Sequence, residues 1–236
     1  MQTGTRKQDA ISTFSCRDGD ILVSIISDGA GSASYGGEGA SVICRSFATL
    51  IRIHFSESSD FPTEALIWEW LDHIRDRISR AAQKRGLTPR DFSATLVLAI
   101  SDGTKTLTAH VGDGAIVARR ASEDDWQALS WPAQGEYAST TYFVTEDPQA
   151  RLRVSLSETP IDALAVFTDG IERIALNYAT DRAHEPFFKG IILPLAKIEQ
   201  PGRDSDLSAK LRSYLDSPKV LERTDDDKTL MLAIRR

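Results

Sequence analysis

Short apolar segments rich in β-branched residues recur along this chain, each closed by turn residues, and they restrict it to a fold built around β-sheets. The clearest is Ile21–Ser27, which ends at Asp28-Gly29 and predicts a buried strand. Ser93–Ile100 and Lys105–Val111 flank a Ser-Asp-Gly-Thr turn and predict a hairpin. Further strands are predicted at Ala115–Arg119, Trp126–Ser130, Tyr142–Thr145, Leu152–Leu156, Leu164–Phe167 and Thr229–Ile234.

Other segments show helical spacing instead. From about Gly39 to His54, apolar residues recur every three to four positions. A second long helix is predicted to begin after Thr63, a residue suited to capping, and to end at Gly86. Shorter helices are predicted at Ile171–Tyr178 and Leu207–Leu215. Long helices together with antiparallel strand pairs predict an α+β fold, with sheets covered by helices, in a single domain over residues 1–236.

Composition narrows the class of protein. A chain of 236 residues can bury enough surface to fold without disulfides, and its two cysteines do not suggest a disulfide scaffold. Its net charge of −6 argues against a basic face for nucleic acids or anionic membranes. The longest uncharged stretches, such as residues 92–101, have ten residues, half of what a bilayer crossing requires. We therefore expect a protein of the reducing cytoplasm with no nucleic-acid or membrane partner.

Aspartates recur where predicted strands begin or end, usually beside glycine. The sites are Asp9, Asp28-Gly29, Asp113 within Gly-Asp-Gly, Asp169-Gly170 and the run Asp225–Asp227. Any one Asp-Gly pair is more often a simple turn than a ligand. Strand ends meet at the rim of a sheet, however, and several ionised carboxylates can share a small volume only around a cation. The series therefore predicts an oxygen-ligand site for Mg²⁺ or Mn²⁺.

In this order, the motifs resemble those of the metal-dependent protein phosphatase family, protein phosphatase 2C. The motifs are Gln8-Asp9-Ala10, Ser27-Asp28-Gly29-Ala30-Gly31, Gly112-Asp113-Gly114, Thr168-Asp169-Gly170 and Asp226-Asp227-Lys228-Thr229. They span residues 8–229, and their order and spacing carry the resemblance rather than any single motif. Phe92–Leu98 resembles the family's threonine-containing core strand. Gly135-Glu136-Tyr137, followed by Thr141–Thr145, resembles the short bacterial branch.

The resemblance implies a four-layer α-β-β-α sandwich, in which two antiparallel sheets are flanked by helix pairs, with a metal site at one end. It implies that Asp28 bridges two ions of Mn²⁺ or Mg²⁺ and that the Gly29 carbonyl holds one of them. Asp169 and Asp226 would complete the other. These three aspartates are then the residues that carry catalysis.

Two further aspartates are implied to support the site, Asp9 through metal-bound waters and Asp113 at a third, weaker ion. The implied reaction is hydrolysis of phosphoserine and phosphothreonine in a protein phosphorylated by a serine/threonine kinase. Two cations about 4 Å apart lower the pKa of a bridging water, which attacks phosphorus in line without a phosphoenzyme. His110 and His184 are candidates for protonating the leaving alkoxide, although His110 is expected to pack or hydrogen-bond within its strand.

Other interpretations stay open from the sequence. Many relatives place an arginine five residues before Asp9, where this chain has Gly4 and its nearest cations are Arg6 and Lys7. That difference favours a weakly catalytic or non-catalytic regulator that binds a phosphorylated partner. The glycine-rich loop after Ile21–Ser27 is a near miss to the dinucleotide-binding fingerprint. The end of the second helix is basic, and is either a solvated face or a docking patch for an acidic or phosphorylated partner; its cations are Arg75, Arg77, Arg80, Lys84 and Arg85.

Overall fold

The computed structural model describes residues 7–121, 123, 125–133 and 141–235. Within these ranges the strands are β1 (Ala10–Cys16), β2 (Ile21–Ser27), β3 (Leu96–Ser101), β4 (Thr106–Val111), β5 (Ala115–Arg120), β6 (Trp126–Ser130), β7 (Arg153–Ser157), β8 (Ile161–Phe167), β9 (Leu176–Asn177), β10 (Arg182–Ala183) and β11 (Leu230–Ile234). The helices are α1 (Gly36–Glu57), α2 (Glu64–Gln83), α3 (Glu172–Ala175), α4 (Glu185–Ile192), α5 (Ser205–Leu215) and α6 (Pro218–Leu221). Within the same ranges, no helix combines the length and hydropathy that a bilayer crossing requires.

Two antiparallel sheets form the centre of the fold. The first has the strand order β1-β2-β3-β4-β7 and the second has the order β11-β8-β5-β6, while β9 and β10 form a separate two-stranded ribbon. β3 is buried along its whole length and β2 almost so, because their apolar side chains are covered on both faces. β1 alternates between half-buried and exposed residues, as expected for a strand at the edge of a sheet.

Three apolar clusters show how the layers stack. One joins the first sheet to α1 and α2 through residues such as Phe47 and Leu71. A second joins the second sheet to α3, α4 and α5 through residues such as Phe188. The third lies between the sheets and includes Val97 and Val166. The order helix–sheet–sheet–helix confirms the predicted four-layer α-β-β-α sandwich.

The unit formed by β2, its glycine-rich loop and α1 is not a dinucleotide-binding fold. β2 pairs antiparallel with both β1 and β3. A dinucleotide-binding unit instead requires parallel strands joined through the helix. The dinucleotide interpretation of the loop is therefore wrong.

Most predicted elements are present, one is absent and one is shorter than predicted. Tyr142–Thr145 lies outside the strands, although the Val144 N–H donates to the Ala94 carbonyl at 2.9 Å. The helix predicted at Ile171–Tyr178 stops at the end of α3, because the chain then enters β9 and pairs with β10. β1 and α4 are additional elements that the sequence patterns did not indicate.

Candidate metal centre at one end of the sandwich

Antiparallel pairing brings the predicted aspartate sites to one end of the sandwich. The start of β1 pairs with the end of β2, so Asp9 lies beside Asp28. The end of β8 pairs with the start of β11 and with the start of β5. Asp169 follows β8, Asp226 lies shortly before β11, and Asp113 lies in the turn before β5. All five carboxylates are therefore carried by loops at the same rim.

The backbone at Asp28 is fixed by its neighbours. The Asp28 N–H donates to the Thr95 hydroxyl at 2.9 Å, and the Thr95 N–H donates to the Asp28 carbonyl at 2.8 Å. The next residue, Gly29, lies so close to the start of α1 that a Cβ there would be 2.3 Å from the backbone carbon of Gly36. Only glycine fits this position, and the first turn of α1 therefore packs directly against the candidate site.

Asp9 is buried and held by two threonines. The hydroxyls of Thr168 and Thr229 donate to Asp9 Oδ2 at 3.0 and 2.6 Å. The Thr229 N–H in turn donates to the Thr168 hydroxyl at 3.2 Å. These bonds tie the start of β1 to the end of β8 and the start of β11. The carboxyl groups of Asp9 and Asp28 also lie close enough to share a hydrogen bond when one of them is protonated.

Burial and mutual repulsion raise the pKa values of this group. Burial, the hydrogen bond with Asp9 and the nearby negative charges raise the pKa of Asp28 to about 10. Burial, followed by the charges of Asp113 and Asp226, raises the pKa of Asp169 to about 8. The pKa of Asp9 is also raised, mainly by burial. The carboxyl groups thus lie within electrostatic reach of one another, and their ionised forms need a compensating positive charge.

Asp226 and Asp227 have different surroundings in the loop before β11. Asp227 Oδ2 accepts a hydrogen bond from the Gln8 N–H at 2.6 Å. A Cβ at Gly170 would lie 1.9 Å from the Asp227 carbonyl oxygen, so this loop packs directly on the residue after Asp169. Asp226 is exposed, and its charge contributes to the raised pKa values of Asp28 and Asp169. Asp227 therefore positions the loop, while Asp226 adds negative charge beside the other aspartates.

Two side chains beside the aspartates, Glu172 and Tyr178, belong to none of the sequence motifs. Glu172 accepts a hydrogen bond from the Tyr178 hydroxyl at 2.6 Å. Burial and the charge of Asp113 raise the pKa of Glu172. Glu172 could have been predicted from the sequence, because it lies three residues after Asp169 and residues at this spacing share a helix face. No local pattern marks Tyr178, which reaches the site from the turn between β9 and β10.

The donor set fits a hard cation. Oδ1 of Asp9 and Oδ1 of Asp169 are buried and lack a hydrogen-bond partner in the described part of the chain, so each keeps lone pairs available to a ligand. Carboxylate oxygens are the ligands that Mg²⁺ and Mn²⁺ prefer. Among the described residues, no three carboxylate, imidazole or thiol side chains lie close enough together to hold a metal ion as they stand. The ligand roles therefore stay predictions for Asp9, Asp28, Gly29, Asp113, Asp169 and Asp226.

The two candidate histidines differ in exposure. His110 is fully buried, and its Nδ1 accepts hydrogen bonds from Arg153 at 2.9 Å and from the Ser130 hydroxyl at 2.7 Å. It therefore packs and hydrogen-bonds inside the sandwich and cannot meet a leaving group in solvent. His184 is exposed, with Nδ1 at 3.1 Å from the Ile174 carbonyl oxygen. Its role as a proton donor stays a prediction.

Some sequence predictions fall outside the described residues. Gly4, which stands where many relatives have an arginine, and Arg6 both precede the described ranges. Gly135–Tyr137 also lies outside the described residues, in the gap after residue 133. Lys7 is described and exposed.

Comparisons with known proteins agree with this architecture. The sequence model of the family described as "Protein phosphatase 2C" matches residues 1–216. The chain is 37% identical over 215 residues to "Serine/threonine-protein phosphatase 3" of Escherichia coli, covering 91% of this chain and 84% of that protein. A crystal structure of a serine/threonine phosphatase from Staphylococcus aureus superposes with a TM-score of 0.69 at 14% identity, covering 100% of this chain and 92% of the other. The Pseudomonas aeruginosa protein PppA superposes with a TM-score of 0.66 at 19% identity, covering 98% and 91%.

Proposed function

Since the chain belongs to the protein phosphatase 2C family and is a serine/threonine protein phosphatase, we propose that it hydrolyses its substrate with divalent cations held by the aspartates at the rim of the sandwich. Asp28 would hold two ions of Mn²⁺ or Mg²⁺, and the Gly29 carbonyl would help to hold one of them. Asp169 and Asp226 complete the second, and residues 1–236 act as one catalytic domain.

The observation that carries this proposal is the convergence of mutually repelling carboxyl groups around Asp28. Its pKa of about 10 means that, at neutral pH and without a cation, the folded chain keeps this carboxyl protonated. A simple structural turn gains nothing from burying several aspartates that repel one another. A pair of cations would supply the missing positive charge, lower the pKa of an attacking water and neutralise phosphoryl oxygens.

The chain's own residues orient this donor set. Thr168 and Thr229 fix one oxygen of Asp9 and leave the other unpaired. Asp227 fixes the loop that presents Asp226. Asp113, which accepts a hydrogen bond from the Thr141 hydroxyl, is proposed to serve a third, weaker ion. Asp9 is proposed to support the pair of ions without binding them directly.

We also propose the wider setting of the reaction. The substrate is a protein phosphorylated on serine or threonine by a kinase, and the chain acts in the cytoplasm of a bacterium. The substrate class is supported by the name of the Escherichia coli relative. The bacterial setting is supported by relatives from three bacterial species.

The test is hydrolysis of a phosphothreonine peptide in Mn²⁺, with EDTA and with the variants Asp28→Asn and Asp226→Asn. We expect EDTA to abolish turnover. Each variant should reduce kcat/KM by more than the roughly 10- to 100-fold typical of losing an outer-shell partner. Asp225→Asn is the matched control, because it removes the same charge from an exposed neighbour of Asp226 that has no proposed ligand role.

Three outcomes would contradict the proposal or a part of it. Turnover that persists in EDTA would exclude a divalent-cation mechanism. If calorimetry shows Mn²⁺ binding but no peptide is hydrolysed, the result would instead favour a regulator that binds a phosphorylated partner. Equal losses in Asp225→Asn and Asp226→Asn would contradict the specific role given to Asp226.

A further inference from the structure

The outward face of α2 carries a cluster of basic residues, here called the basic face: His73, Arg77, Arg80 and Lys84. These positions are three or four residues apart, which places them on one side of the helix. All four residues are exposed, while the opposite side of α2 is buried through residues such as Ile74 and Ile78. Together with Ala81 they line a shallow depression of about 460 Å³, and no carboxylate is among the described residues that line it.

Two arginines of the basic face donate hydrogen bonds to neutral acceptors. Arg77 donates from Nη1 to the Ser46 hydroxyl of α1 at 3.3 Å. Arg80 donates from Nε to the backbone carbonyl of Asp76 at 3.2 Å. The negative end of the α2 dipole offsets part of this charge, but like charges at such spacing still repel one another. The guanidinium groups are thus oriented and remain able to bind an anion.

The basic face continues toward the candidate metal centre. The next cation, Arg85, forms a two-point ion pair with Glu38 in the first turn of α1, at 2.9 and 2.5 Å. The Arg85 guanidinium also lies 5.4 Å from the ring centroid of Phe92, at the end of the segment that leads into β3. The start of α1 in turn packs on Gly29, next to Asp28. The end of α2 therefore borders the same rim that carries the aspartates.

We propose that the basic face binds acidic residues of the phosphoprotein substrate that flank the phosphorylated residue, an inference that rests on the proposed phosphatase function. The occupant is identified by charge. The chain as a whole carries −6, and its candidate metal centre is lined with carboxylates, so an acidic segment meets repulsion over much of the molecule. The basic face offers that segment complementary charge beside the rim and sets its direction of approach.

The experiment compares two phosphothreonine peptides that differ only in their flanks, one with four glutamates and the other with four glutamines. Both are assayed in Mn²⁺ with the wild-type protein and with the variant Arg77→Gln/Arg80→Gln/Lys84→Gln. We expect the wild-type KM to be about five- to tenfold lower for the acidic peptide, as three exposed ion pairs permit. This preference should weaken as salt is added.

The triple variant should lose the preference through KM and keep the wild-type kcat on the glutamine peptide, which also shows that it folds. The matched control, Lys210→Gln/Arg212→Gln/Lys219→Gln, removes the same charge from exposed positions on α5 and α6, in the other helix layer. It should keep the preference.

A second readout separates this inference from the proposed function. Fluorescence anisotropy of a labelled glutamate-rich peptide without phosphate measures binding whether or not the protein turns over a substrate. Equal binding by the wild-type protein and the triple variant would overturn the inference, as would equal KM values for the two phosphopeptides in an active enzyme. Tighter binding of single-stranded DNA than of the acidic peptide, lost in the same variant, would assign the face to nucleic acid and overturn it as well.

Discussion

His110 is held in its neutral form between the two sheets. Its Nδ1 accepts hydrogen bonds from Arg153 of β7 and Ser130 of β6, so the imidazole links one sheet to the other. Burial, and secondarily the charge of Arg153, lower the pKa of His110 to about 3. A histidine in this environment contributes to stability through its neutral state and takes no part in proton transfer to a substrate.

This environment makes stability depend on pH. Between the folded pKa of about 3 and the unfolded value of 6.5, the unfolded chain binds one more proton than the folded chain, so stability rises with pH across this window and is lost as pH falls. From pH 7 to pH 5 we expect the His110 contribution to decrease by about 2 kcal/mol. Urea unfolding of His110→Gln should show a pH dependence weaker by this amount, because glutamine keeps an acceptor and does not titrate.

The control for this prediction is His73→Gln, which removes an exposed imidazole from α2. Its urea unfolding is measured over the same pH range. An unaltered dependence in His110→Gln would show that another group is responsible for the acid sensitivity.

Individual residues of the site could be predicted only where their type and position both carried a signal. Asp28 and Asp169 follow apolar strands and precede glycine, a pattern visible in the sequence. Thr168 and Thr229 bond to Asp9 across distances of 159 and 220 residues, and no local pattern reports such contacts. The same limit applies to Gln8 and Asp227.

At the scale of elements, local signals succeeded where they were strong. Thr63 caps α2 by accepting the Leu66 N–H at 3.2 Å, and β2 covers the predicted residues. β1 was missed because its alternating serine and threonine positions resemble a polar loop until β2 pairs with it. The helix at Ile171–Tyr178 was overpredicted because tertiary pairing of β9 with β10 outweighs helical propensity there.

Packing between loops should control activity more strongly than stability at Gly170. A Cβ there would lie 1.9 Å from the Asp227 carbonyl oxygen, so Gly170→Ala must push apart the loops that carry Asp169 and Asp226. A displacement near 1 Å at a reacting centre can reduce rates by about 100-fold. We expect kcat/KM of Gly170→Ala on a phosphothreonine peptide to fall by this order.

The matched control is Gly190→Ala in α4, where nothing lies within 4 Å of an added Cβ. It should keep activity and raise stability by about 0.5–1 kcal/mol, because alanine is favoured over glycine within a helix. Wild-type activity in Gly170→Ala would mean that the two loops are not coupled as their packing indicates.

At the scale of the whole molecule, the layer order could be predicted because the motif series resembled a known family, whereas composition and periodicity alone led only to an α+β domain. The pairing of β1 with β2, and of β8 with β5 and β11, explains why residues far apart in the chain share one rim. The sequence did not indicate that the exposed face of α2 lies near that rim. Its position follows from the packing of α2 on α1 and the first sheet, and the ion pair of Arg85 with Glu38 joins residues that only the three-dimensional structure brings together.

The carboxyl groups at this rim repel one another when they are ionised. A bound cation should therefore stabilise the folded chain. Without metal, the raised pKa values mean that stability falls as pH rises above about 4, toward about 8 for the Asp169 contribution and toward about 10 for that of Asp28. At pH 8 the folded, metal-free chain must keep the Asp28 carboxyl protonated, whereas the unfolded chain ionises it, and this difference costs stability. Asp28→Asn removes this cost and keeps a donor to Asp9, so the metal-free variant should melt at a higher temperature than the wild type at pH 8. With Mn²⁺ at about 100 times its Kd, the wild type should gain about 2.7 kcal/mol and the variant much less, which reverses their order.

Thermal melts of the wild type, Asp28→Asn and Asp225→Asn, each with EDTA and with Mn²⁺, measure this reversal directly. Asp225→Asn should follow the wild type in both conditions, because its exposed side chain does not contribute to the raised pKa of Asp28. If Mn²⁺ stabilises Asp28→Asn as much as the wild type, the cation binds elsewhere on the chain. If the metal-free variant melts below the wild type, the buried carboxyl contributes more through packing than it costs through repulsion. The electrostatic account of the rim would then fail, even in an active enzyme.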